Sequence, residues 1–104
     1  MQKVLIDTFI VPKIAENEFF NRVKVNRNLI KGLPGFVQDY TYIREKSKDD
    51  FQFVTVAIWE NEEAINNAKK EVQISYQREG FDMPGMLQRL GISIERGIFE
   101  ISQR

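Results

Sequence analysis

Two residues stand out for what their side chains can do. Asp7 places a carboxylate inside the apolar stretch "VLIDTFIV" (4–11). Burying it unpaired would be costly, so it needs an Arg or Lys partner, solvation at a sheet end, or a polar cavity. In a cavity, a partly desolvated carboxylate is a candidate general base that could take a proton from a phenol. Trp59 is the only tryptophan, and it ends "FQFVTVAIW" where strand alternation gives way to the helical "ENEEAI". A tryptophan at such a junction packs in the core with its indole N–H finding one partner, and it can also offer a flat apolar wall to a ring. Thr55 and Ala57 share its strand parity, and their small side chains leave room beside it. Asp7, Thr55, Ala57 and Trp59 are thus expected to line one cavity.

Absences narrow the chemistry. The chain has no cysteine, hence no disulfide, thiolate nucleophile or thiolate metal site. It has no histidine, which excludes the Ser-His-Asp triad and the imidazole metal site. Neither a cofactor nor a metal is expected, and any reaction must use carboxylates, tyrosines, lysines, arginines or a bound reactant. Fifteen basic residues balance fifteen acidic ones, so neither nucleic acid nor an anionic membrane is an expected partner. No window approaches a membrane span, and "MQKVLIDTFIVPK" lacks the cleavage site of a signal peptide. The expectation is a cytoplasmic protein.

The elements that must position these residues are legible. The 104 residues make one domain, 1–104. "KVLIDTFIVP" reads as a strand, and Phe19, Val23, Ile30 and Leu33 recur at helical spacing between Glu16 and Leu33. Gly32 and Pro34 stop that helix. "FVQDYTYIRE" (36–45) and "FQFVTVAIWE" (51–60) are predicted strands joined by the charged tip "KSKDD". Asn61 is a predicted N-cap for a helix running to about Glu79, with Ala64, Ile65, Ala68 and Val72 as its apolar stripe. "GFDMPGM" (80–86) reads as an irregular connection, with Met83 and Met86 as a plug or adaptable lid. "GISIERGIFEI" (91–101) reads as the last strand. The order β-α-β-β-α-β predicts a ferredoxin-like α+β sandwich, four antiparallel strands with both helices on one face.

Strand parity then predicts a partner. Val4, Ile6, Thr8 and Ile10 share one face of the first strand, opposite Leu5, Asp7, Phe9 and Val11. Val54, Val56 and Ile58 likewise oppose Phe53, Thr55, Ala57 and Trp59. Helices on one side leave the Val4, Ile6, Val54, Val56 and Ile58 rows uncovered, and a homodimer through that sheet face would bury them. Tyr40 and Tyr42 share one face of the second strand, where they would cover a core or an interface rim.

The unit carrying "LPGFVQDYTYIRE" and "FVTVAIWENEEAINNAKK" resembles the antibiotic biosynthesis monooxygenase family, whose members are dimeric α/β barrels. The resemblance spans nearly the whole chain and rests on element order, "PGF" opening the second strand, and aromatic-Glu-polar ending the third. Its haem-degrading branch uses an asparagine near Asp7, a tryptophan matching Trp59 and a histidine near Lys69. This chain has no histidine, so haem ligation of that kind is not expected. Its quinone-forming branch implies a cofactor-free oxygenase, in which a bound phenol or anthrone is deprotonated and the anion itself reduces oxygen. That branch commonly uses Asn, Trp, Tyr and Arg. Asn61, Trp59, Tyr76 and Arg78 supply those residue types for substrate binding, beside Asp7 as the catalytic base. The reading is a cofactor-independent monooxygenase for a small aromatic or quinol-like substrate. The alternatives on the same scaffold are a non-catalytic small-ligand-binding dimer, or an isomerase or signal-molecule processing enzyme.

Overall fold

The β-branched run Lys3–Pro12 forms β1, and its alternate residues Asp7, Phe9 and Val11 are buried. A short 3-10 turn, Lys13–Ala15, leads into α1 (Glu16–Lys31), which buries Phe19. The strands β2 (Phe36–Glu45) and β3 (Asp50–Trp59) form the hairpin. Then come α2 (Glu62–Glu79), α3 (Met83–Leu90) and β4 (Ser93–Phe99). The computed structural model describes residues 1–104. All strands pair antiparallel in the order β2-β3-β1-β4, so this is the ferredoxin-like α+β fold.

Two boundaries differ from the sequence expectation for one reason. Residues 80–86 are not an irregular connection throughout, because α3 begins at Met83. Pro84 sits in its first turn, where a missing N–H costs nothing, and Gly91 caps it in the left-handed conformation. The last strand is correspondingly shorter than 91–101, running from Ser93 to Phe99. Met86 is buried and Met83 packs against the core, so both belong to a folded helix.

All three helices pack on the face carrying Asp7 and Trp59, yet the core they make is split. One cluster gathers Phe9, Phe19, Phe51 and Phe53 with Met86 and Leu87 of α3. The other gathers Ala57 and Trp59 with Ala64, Ile65 and Ala68 of α2. The opposite sheet face carries no helix. There Val4, Ile6, Val54, Val56 and Ile58 are half-buried by one another, while Tyr40, Tyr42 and Phe99 are exposed.

The "PGF" motif has a packing reason. Gly35 has φ +83°, and its carbonyl accepts from the Glu60 N–H at 2.8 Å, tying the start of β2 to the end of β3. A Cβ there would lie 2.4 Å from the Ala64 Cβ on α2. Gly35→Ala should therefore destabilise the protein by about 2–4 kcal/mol, combining left-handed backbone strain with overpacking. Urea denaturation checks this, and Gly80→Ala is the control. Gly80 is also left-handed but has open space around its missing Cβ, so it should lose only the strain.

Candidate functional site

The split in the core has a cause in the sheet register. Thr41 pairs with Thr55, Thr55 with Asp7, and Asp7 with Arg96. One rung thus presents a polar side chain from every strand on the helix-covered face. The rungs on either side bring Phe9 against Phe53 and Leu5 against Ala57. Polar side chains cannot close the gap between the two apolar clusters, and a cavity of about 550 Å³ opens there. That size suits a small organic ligand.

Asp7, Thr55, Ala57, Trp59 and Tyr76 all line this cavity, together with Arg96, Asn26 and, from the α3 side, Phe81 and Met83. Two expected residues do not. Asn61 is exposed and accepts from the Ala64 N–H at 2.8 Å, so its oxygen is spent capping α2. Arg78 is exposed and lies two residues beyond Tyr76, about 200° further round the helix.

Asp7 is only 7% exposed. Arg96 donates to both of its oxygens, Nε to Oδ1 at 2.7 Å and Nη2 to Oδ2 at 2.8 Å. The Arg96 side chain is half exposed, so one edge of the guanidinium meets solvent while the other holds the buried carboxylate. This hydrogen bonding raises the Arg96 guanidinium further above its ordinary value and keeps it charged. A second bidentate pair, Arg27 to Asp39, joins α1 to β2 at the cavity edge at 2.7 and 3.2 Å.

Hydrogen bonding from Arg27 holds the Asp39 carboxyl below its ordinary value of 3.8. Because the folded state lowers this value, its contribution to stability is fully present above 3.8 and is lost as pH falls through the lowered value. Asp39→Asn should therefore reduce stability near neutrality, with the gap to wild type closing in strong acid. Denaturation midpoints of both proteins across that range measure it.

Trp59 is 2% exposed and meets Phe36 edge-on with ring centroids 5.6 Å apart. Contrary to expectation its indole N–H has no protein partner, and the side-chain oxygen of Asn26 is likewise buried without one. Tyr76 packs edge-on against Phe81, and burial pushes its phenol above the ordinary value against the pull of the Arg22 guanidinium. The Arg22 guanidinium itself lies 3.4 Å from the Phe81 ring centroid. No three Asp or Glu side chains gather into a metal-binding group. No helix is long and apolar enough to cross a membrane.

Fold and cavity together define a ferredoxin-like α+β protein with a ligand-sized space between sheet and helices. The same fold occurs in a candidate monooxygenase from Shewanella loihica PV-4, with a TM-score of 0.72 and 18% identity over 99% of this chain and 96% of that one. SnoaB, a cofactor-independent oxygenase from Streptomyces nogalater, matches in a single-substitution form with a TM-score of 0.70 and 24% identity, covering 98% of this chain and 95% of that one. A Bacillus cereus structure described as a candidate antibiotic biosynthesis monooxygenase matches at 0.59 and 17% identity, over 99% and 95% of the two chains. No protein-family model matches the chain, and no curated protein sequence does. The fold is thus shared with a structure described as a candidate antibiotic biosynthesis monooxygenase and with the oxygenase SnoaB.

Proposed function

We propose that the protein is a cofactor-independent monooxygenase acting on a small aromatic or quinol-like substrate, working as a homodimer joined through the open sheet face. The observation that carries this reading is the polar rung. A buried carboxylate and a fixed guanidinium sit on the floor of a cavity whose other walls are largely apolar, with Trp59 at one end. Its resemblance to SnoaB in fold adds support.

The chemistry asked of the chain is modest. Trp59 and the apolar walls hold the ring. Asp7 accepts a proton from the substrate, and Arg96 stabilises the negative charge that proton leaves behind. For an anthrone, the resulting anion passes electrons to molecular oxygen. One oxygen atom ends as the new carbonyl and the other leaves as water, so the substrate supplies all the reducing power.

Oxygen uptake with a panel of anthrones and hydroquinones tests this. Uptake by an anthrone with formation of the matching quinone supports it, and a flat trace across the panel removes it. A second reading, a dimer that binds a small ligand without transforming it, is favoured by one observation. Both Asp7 oxygens already accept from Arg96. A flat oxygen trace with tight binding in the cavity would select that reading.

A further inference from the structure

A second cavity, of about 350 Å³, lies between α1 and strands β2 and β3, and the proposed oxygenase chemistry does not use it. Phe20, Val23 and Phe53 give it an apolar floor, and Lys24, Arg27 and Lys31 carry its charge. No Asp or Glu lines it, although the chain as a whole balances fifteen basic residues with fifteen acidic ones. The three cations recur at i, i+3 and i+7, which places them on one face of α1. Like charges at that spacing repel, a cost that a bound anion would offset.

Two of these cations have no partner, and the third has one free edge. Lys24 and Lys31 belong to none of the protein's ion pairs. Arg27 gives Nε and Nη2 to Asp39, which leaves Nη1 without a protein partner. Asp39 itself lines the larger cavity and not this one, so no carboxylate competes with a ligand here.

The floor supplies the other half of the recognition. Phe20 stacks on Phe51 with centroids 5.4 Å apart and meets Phe53 edge-on at 5.3 Å, so its half-buried ring is held in place. An inorganic anion would leave that aromatic surface wet, and a neutral ring would leave the cations unanswered. A polyanion fits poorly, because the cations span only two helical turns, about 10 Å, of a chain with zero net charge.

We infer that this groove binds an aryl carboxylate, with its ring against Phe20 and Phe53 and its carboxylate held by Lys24, Lys31 and the free edge of Arg27. The groove is separate from the proposed substrate cavity, so oxygen uptake by anthrones tests the one and not the other.

The probe is 2-naphthoate, with 2-naphthamide as its uncharged counterpart and inorganic sulfate as the bare anion. Calorimetry at low salt should show naphthoate binding roughly tenfold tighter than naphthamide, the combined effect of two or three exposed ion pairs. Sulfate should bind more weakly than naphthoate. Raising the sodium chloride concentration to about 0.5 M should remove most of the preference for naphthoate over naphthamide. A Lys24→Gln, Lys31→Gln double variant should bring that preference within about threefold, since only Arg27 remains. Both positions are exposed and glutamine is a good helix former, so the fold should persist. Lys69→Gln removes a cation from the larger cavity instead and should leave the preference unchanged.

Equal wild-type affinity for naphthoate and naphthamide, or no binding by naphthoate, overturns the inference whether or not the double variant folds. A preference that survives the double variant, or that Lys69→Gln removes as well, also overturns it. Sulfate binding as tightly as naphthoate does the same, because charge alone would then account for the site.

Discussion

Asp7→Asn should lower turnover by roughly a hundred- to ten-thousandfold, the range expected when a general base is lost. Ligand binding should stay close to wild type and the protein should still fold. Its stability should be lowered as for Asp39→Asn, because the charge-paired bidentate contact with Arg96 is broken. The side chains are nearly isosteric, and the asparagine oxygen still accepts from one Arg96 N–H. Arg96 is half exposed, so the N–H it loses can turn to water. The bidentate pair does not by itself disqualify Asp7. A carboxylate offers about four lone-pair positions, and Arg96 occupies two of them. The remaining two are available to a substrate on the cavity side. Trp59→Phe should behave in the opposite way, raising KM more than it lowers kcat, because ring area shrinks while Asp7 stays in place. Steady-state oxygen uptake, paired with denaturation midpoints, separates these outcomes. If Asp7→Asn keeps wild-type turnover, the carboxylate is structural and serves only to hold Arg96.

What the sequence made legible follows from periodicity. The faces of β1 and β3 could be read because period-two alternation is clear in "VLIDTFIV" and "FVTVAIW", and the structure buries Asp7 and Trp59 on the same side. Arg96 was missed because β4 lies in a polar stretch, "SIERGIF", whose alternation is weak. The signal was nonetheless present. Arg96 shares parity with Ile94 and Ile98, and a carboxylate buried on the neighbouring strand demands a cation in register. Asn26 gave no sequence signal, since an asparagine on a helix beside charged residues reads as solvated surface. Its place on the cavity wall appears only once α1 and α2 are packed on the sheet. Asn61 failed for a different reason. The same residue type suits a helix cap and a substrate contact, and at a strand-helix junction the cap takes its oxygen. The helix α3 was hidden by Pro84 and Gly85, which mark loops in most contexts but fit a first helical turn.

Val56→Lys should yield insoluble or unfolded protein, because it places an ammonium at the centre of the proposed dimer interface. Val56 lies on a central strand between Ile6 of β1 and Tyr40 of β2. Two such sheets stacked about 10 Å apart would bury these rows against their copies, removing upward of roughly 1,500 Å² from water in total. An isologous contact doubles every change, so each dimer would bury two unpaired ammonium groups. Desolvating each costs several kcal/mol, comparable to much of the stability of a domain this size. If the dimer separated instead, each half would expose the β-branched rows together with the already exposed Tyr40, Tyr42 and Phe99. A continuous apolar patch of that kind promotes aggregation. Val56→Thr is the informative control. It keeps the branched shape with one buried hydroxyl, and it should weaken the dimer without destroying it. Sedimentation velocity decides the matter: wild-type protein running as a compact monomer at micromolar concentration would overturn the interface assignment, and so would a soluble, monomeric and fully folded Val56→Lys variant.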